Sequence, residues 1–187
     1  VSVDQVREPG ADRTFAPPDG LELRPYQKDA IRAWSKAGGR GVFAMATGSG
    51  KTPTALVLAS KVAERNRPLA LIVVCPFINL CRQWIREIAA FGVDAVPCFE
   101  KREAWQPRLE EGYQRLAAGL DRVLAIVTTN ATFQGDAFQS RLRPRVAASG
   151  IHHLLIAESR LPVMVGNNAE HPDRAVAGVI REARIYS

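Results

Sequence analysis

Short unbroken apolar runs alternate along this chain with longer stretches in which apolar residues return every three or four positions, a pattern that predicts strands interleaved with helices. LALIVVC (69–75) is continuous and branched, as expected of a strand buried on both faces, and Pro76 stops it. RVLAIVTTN (122–130) and IHHLLIA (151–157) read as further strands, VDAVPCF (93–99) as another candidate, and GVFAMA (41–46) as a short buried one running into glycine-rich sequence. Tyr26, Ala30, Ile31 and Trp34 recur at helical spacing, with Pro25 at the helix start and Gly38-Gly39 at its end. Leu56, Ala59, Val62 and Ala63 mark the face of a second helix, whose Pro53 lies in the first turn, where a missing N–H costs little. INLCRQWIREIAAFG forms an amphipathic helix ending at Gly92, and the charged segment 101–119 is helical. Beyond Ala157 the pattern weakens: LPVMV (161–165) fits a strand, and the segment from Pro172 to Ser187 fits a terminal helix. Residues 1–20, rich in Pro, Gly and charge without a period, read as a leader or linker, leaving one domain over 21–187 with an atypical tail from 158. Strands alternating with helices imply right-handed crossovers and an α/β fold, a largely parallel sheet with helices on both faces.

Composition narrows the class. Twenty-five Lys and Arg against nineteen Asp and Glu give a net charge of +6, mostly from arginine, which suits phosphate recognition. Cys75, Cys81 and Cys98 are odd in number and form no CxxC, so a reduced interior is expected rather than a disulfide framework or a metal site. His152-His153 has no Cys or carboxylate partner at ligand spacing. No apolar run is long enough to span a bilayer and no signal-peptide layout is present, so a cytoplasmic chain without a membrane partner is expected. Its start at Val1 rather than Met suggests processing or a fragment.

The chemistry concentrates in MATGSGKT, Met45 to Thr52. In a phosphate-binding loop, backbone N–H groups of a glycine-rich turn face the phosphates, a lysine neutralises the outer ones, and a hydroxyl at a helix N-terminus ligates magnesium. Thr47, Gly48, Ser49 and Gly50 supply that turn, Lys51 the charge and Thr52 the hydroxyl. The strict pattern places glycine where Met45 stands, but a strand leads in and a helix leads out, as the mechanism requires.

These residues resemble the Walker A motif of superfamily 2 helicases and translocases, in the branch related to type III restriction subunits, where Met at that position is common. LRPYQKDAIRAW is similar to the adenine-recognising segment of that branch, which implies that Gln27 contacts the base and that Arg24 or Tyr26 flanks it. VVCPFINLCRQWIREI, with Gln83-Trp84, resembles motif Ia, and IVTTNATF resembles motif Ib; in the family both line the path of a nucleic-acid strand. The resemblance spans roughly Leu21 to Ala157 and implies a RecA-like domain using ATP and Mg²⁺, a nucleic-acid partner (DNA ahead of RNA), and a second RecA-like domain or partner subunit. Trp84 shares a helical face with Leu80 and Ile88 and reads as core rather than as a base-stacking platform. Arg141 to Arg145 places three guanidiniums beside the motif Ib region, either as a solvated loop or as a phosphate-contacting patch.

Hydrolysis in this family also needs an Asp that holds magnesium and an adjacent Glu that activates water, written as Asp-Glu-Ala-His after an apolar strand. Here LLIA is followed by Glu158, Ser159, Arg160 and Leu161. Aligned without a gap, Glu158 takes the metal-holding place and Ser159 the place of the base; with a one-residue deletion, Glu158 is the base and the Asp is gone. The ungapped alignment leaves Lys51 and Glu158 as the catalytic residues, with Thr52 and Glu158 as metal ligands and no general base. The family's Ser-Ala-Thr element is not recognisable after Ala157, and no second RecA-like domain follows within these residues. Two readings of different kinds result: an ATP-binding N-terminal domain of a DNA helicase or translocase that is incomplete for hydrolysis alone, or a non-catalytic nucleotide-sensing or protein-interaction module on the same fold. A small P-loop kinase would leave the Gln27 segment and both later motifs without a role.

Overall fold

The computed structural model describes residues 14–46, 48–66, 68–147, 150–158, 163–167 and 180–185, the last two segments as backbone. Its elements in chain order are α1 (Pro25–Lys36), β1 (Gly41–Phe43), α2 (Lys51–Arg65), β2 (Leu69–Cys75), α3 (Ile78–Ala90), β3 (Val96–Cys98), α4 (Arg102–Ala117), β4 (Val123–Thr129), α5 (Asn130–Gln134), α6 (Asp136–Ala147), β5 (His152–Glu158), β6 (Val163–Asn167) and β7 (Ile180–Ile185). They build one sheet in the order β1-β6-β7-β5-β2-β4-β3. Pairings of β2 with β4 and β5, of β3 with β4, and of β7 with β1 and β5 are parallel, while β6 runs antiparallel to its neighbours. The expected α/β architecture with a largely parallel sheet is therefore present.

Strand β2 shows why the sheet is buried on both sides. Its alternate residues Leu69, Leu71, Val73 and Cys75 join one apolar cluster with α1, α2 and α3, including Ile31, Leu56, Ala59, Trp84 and Ile88. Ala70, Ile72 and Val74 join a second cluster with α4 and α6, including Trp105, Leu109, Phe138 and Leu142. A period of two thus feeds two faces, and each fully buried Leu or Ile contributes about 1.5–3 kcal/mol. In-register pairing of Cys75 with Thr129 and of Val74 with Ala157 brings the carboxyl ends of β2, β4 and β5 to one edge. β1, parallel to β7 and through it to β5, ends at that same edge. No helix among the described residues is long and apolar enough to cross a membrane.

Several expectations require correction. In α1 the buried positions are Gln27 and Ile31, and Tyr26 is 40% exposed, because the polar Gln27 turns toward the glycine-rich loop. The lead-in strand β1 is only half-buried at Gly41 and Val42. The arginine run is not a loop: it lies inside α6, where Phe138, Leu142 and Val146 are buried one turn apart. Pro144 disfavours a helix interior by about 3 kcal/mol, but burial of that apolar stripe against the sheet outweighs it. Nor is the run a single patch, since Arg145 pairs with Glu110 and sits 4.8 Å above the Tyr113 ring, while Arg143 is exposed on another side of the helix. The terminal helix expected from Pro172 meets a strand at Ile180–Ile185, whose backbone groups pair with β1, β5 and β6, a neighbourhood that local sequence does not encode. Residues 172–179 of that expected helix lie outside the described residues. Of the expected leader, residues 14–20 are described, and Phe15 is buried against Phe91 with ring centroids 5.7 Å apart.

Candidate functional site

At the carboxyl edge, β1 gives way to a tight turn that enters α2. Ser49 N–H and Ser49 Oγ both donate to the Ala46 carbonyl, at 3.2 and 2.6 Å, closing the turn. Gly48 and Gly50 take φ of +78° and +83°, a left-handed region open to glycine at little cost. Gly50 caps the 15-residue α2, and Thr54 N–H and Oγ1 return to its carbonyl. Helix geometry leaves the amides of Lys51 and Thr52 without an intrahelical acceptor, whereas Pro53 has none to satisfy. Those donors and the positive end of the helix dipole face the turn, so it favours an anion.

Helix α1 clasps this turn from outside. Tyr26 Oη–H donates to the Ser49 carbonyl at 2.6 Å, and Gln27 Nε2 donates to the carbonyls of Ser49 and Gly50 at 3.3 and 3.2 Å. Gln27 Oε1 meanwhile accepts from the Arg24 N–H at 2.8 Å, closing the first turn of α1 and fixing which way the amide faces. Sequence reasoning placed Arg24, Tyr26 and Gln27 beside a ligand but did not foresee that two of these side chains would grip the loop itself. Gly50 is needed for a second reason, since a Cβ there would lie 2.7 Å from Gln27 Nε2. Gly50→Ala is expected to cost about 2–3 kcal/mol, combining the left-handed penalty with displaced hydrogen bonds, and to lower the Tm by roughly 5–10 °C in calorimetry. Gly119→Ala, with a similar φ of +71° and nothing within 4 Å, should show only the smaller conformational part.

Lys51 Nζ donates to the Met45 carbonyl at 2.7 Å, so the ammonium is held over the loop. Met45 is 8% exposed and belongs to the core, so the side chain that breaks the strict glycine pattern is absorbed by packing and stays out of the turn. Thr52 is half-buried in the first turn of α2, and Thr47 lies outside the described residues.

Glu158 ends β5 and is half-buried. Leu154 and Ile156 of the same strand point into the cluster shared with α2 and α3, so by strand alternation Glu158 faces that side too. Its Oε2 accepts the indole N–H of Trp84 at 2.5 Å. Trp84 is 1% exposed, as the core reading required, but its polar edge was missed; the available signal was that a buried indole N–H needs an acceptor. The Cys75 thiol is pushed up by its hydrogen bond to Cys81, then by burial, and the Glu158 charge adds to this. Ser159, Arg160 and Leu161 lie outside the described residues.

The segments expected to face nucleic acid border the same edge. Phe77 and Ile78, at the start of α3, are 44% and 43% exposed, and Arg82, Gln83 and Asn130 are exposed as well. Arg82 approaches Glu100 at 3.9 Å. Thr129 caps α5 through its hydroxyl, which accepts from Thr132 N–H at 3.3 Å.

Residues 20–140 match the family described as "Type III restriction enzyme, res subunit". Over 70 residues the chain is 40% identical to a DNA 3'-5' translocase, XPB2, of Sulfurisphaera tokodaii; the match covers 37% of this chain and 15% of that protein.

Proposed function

We propose, from the premise that the chain belongs to the type III restriction enzyme res-subunit family and forms a superfamily 2 helicase RecA-like domain, that it is the N-terminal ATP-binding domain of a cytoplasmic DNA helicase or translocase. The observation that carries this reading is the glycine turn at the N-terminus of α2, clasped through Ser49 and Gly50 by Tyr26 and Gln27. The turn's amides would take the β- and γ-phosphates, and Lys51 would exchange the Met45 carbonyl for a phosphate oxygen. Gln27 Nε2 is engaged with two loop carbonyls and Oε1 with the Arg24 N–H, so the remaining lone pair on Oε1 is what it would offer to the amino group of adenine. That pairing would tie base recognition to the geometry of the loop.

Magnesium fits the donor set. Among the described residues no group of three or more His, Cys, Asp or Glu side chains could hold a metal, but this ion takes one or two carboxylates, completing its shell with phosphate and water. Thr52 and Glu158 would be its protein ligands, and the bound ion would neutralise charge developing on the phosphates. With Glu158 so used and Ser159 following it, the place of the base holds no carboxylate to take a proton from water, and an arginine from a second RecA-like domain or partner subunit would still be needed. We therefore read the domain as able to grip nucleotide but incomplete for turnover alone. The Ala157-Glu158-Ser159-Arg160 sequence is what favours the alternative, a nucleotide-sensing or interaction module.

Binding to nucleic acid separates the two. Labelled single- and double-stranded oligonucleotides should bind weakly and without sequence preference, with fluorescence anisotropy falling steeply as salt rises, because phosphate contacts release counterions. The net charge of +6 and the exposed Arg82, Gln83 and Asn130 motivate this expectation. No binding at low salt would favour the interaction module.

A further inference from the structure

We propose that Trp84 is a positioning residue for the Glu158 carboxylate, fixing one oxygen through its indole N–H so that the other is presented to a magnesium-bound nucleotide. The inference rests on the reading of Glu158 as the metal-facing carboxylate. The contact joins residues 74 apart in sequence, one on α3 and one at the end of β5. An indole nitrogen is a donor only, so the roles in this bond are unambiguous, and its acceptor is charged. Trp84 is 1% exposed, and packing among the neighbours of α3 fixes the ring and hence the direction of the N–H.

Glutamate explains why an anchor is useful. Relative to aspartate it carries one more methylene and one more rotatable bond, so an unheld Glu158 would spread its carboxylate over several rotamers at the strand end. A carboxylate has about four acceptor sites, and the indole takes one on Oε2, so the two on Oε1 are not needed for this bond. A partner that orients a ligating carboxylate in this way typically contributes 10–100-fold to metal affinity.

The test uses this chain, ADP and magnesium. Trp84 gives one of three indole signals in an ¹H–¹⁵N spectrum, identified by its loss in Trp84→Phe. Glu158→Ala should shift that signal upfield and speed its exchange with solvent; an unmoved signal would remove the hydrogen bond and the proposal with it. Calorimetry then compares ADP affinity in Mg²⁺ with that in EDTA. Trp84→Phe should shrink the magnesium-dependent gain about tenfold and leave the affinity in EDTA within about twofold. Replacing Trp84 by benzothienylalanine keeps the ring shape without the N–H and should reproduce the loss even if the Phe variant folds poorly. A full gain with benzothienylalanine would assign the effect to packing and overturn the proposal. If Glu158→Ala abolishes the gain while both Trp84 replacements keep it, positioning by Trp84 fails and the metal reading of Glu158 stands. If Glu158→Ala keeps the gain, the metal reading itself fails.

Discussion

Joining this domain to a second RecA-like domain and introducing Glu158→Asp with Ser159→Glu is expected to raise DNA-stimulated ATP hydrolysis about 10²–10⁴-fold over the unmodified sequence in the same arrangement, the range typical of a general base. The reason is chemical: Ser159 cannot accept a proton from water at neutral pH, and Glu158 is read as occupied with magnesium and with the Trp84 indole. Ser159→Glu alone isolates the base, because Glu158 and its indole contact stay in place. The 187-residue chain by itself should turn over close to the detection limit, because it also lacks an arginine finger supplied in trans, a contribution of about 10³–10⁵-fold. Phosphate release with and without DNA measures each case. Ready hydrolysis by the unmodified 187-residue chain, abolished by Lys51→Ala, would place the working carboxylates elsewhere.

Lys51→Ala should lower the affinity for magnesium-ATP or ADP about 10–100-fold in calorimetric titration. A hydrogen bond to a charged group is worth roughly 1.5–3 kcal/mol, and each 1.4 kcal/mol is tenfold in affinity. Loss of the part-buried 2.7 Å bond to the Met45 carbonyl should also lower the stability of the free protein, by about 1–3 kcal/mol, so binding is compared at a temperature where the variant is folded. Unchanged nucleotide binding in a folded Lys51→Ala variant would sink the phosphate-cradle reading.

The elements that sequence made legible are those whose information is local. LALIVVC is apolar at every position, short, rich in branched residues and stopped by Pro76, which together mark a strand covered on both faces, and all of β2 is buried. Pro25 and Gly38-Gly39 bracket α1, and Gly50 with Lys51 and Pro53 marks the start of α2, because helix ends carry their own residue chemistry. The misreadings came where distant neighbours overrule local preference. The run from Arg141 to Arg145 read either as a solvated loop or as a phosphate-contacting patch, yet the stripe of Phe138, Leu142 and Val146 docks on the sheet and keeps α6 helical. At Ile180–Ile185 strand partners, not local pattern, decide the structure.

By itself, the order of residues determined the alternation of strands and helices and the α/β class, because periodicity, glycine turns and proline stops act over a few residues. The same holds for the glycine turn with Lys51 and Thr52 at its helix start and for the carboxylate left single at Glu158. Only the tertiary structure decided that Tyr26 and Gln27 hold the loop through Ser49 and Gly50, that Arg145 is tied to Glu110 and Tyr113, and that the buried Trp84 reaches Glu158. Those bonds join residues 22 to 74 positions apart. Chain folding, not spacing, sets such distances, and a buried donor takes whichever acceptor the packed sheet and helices bring within reach.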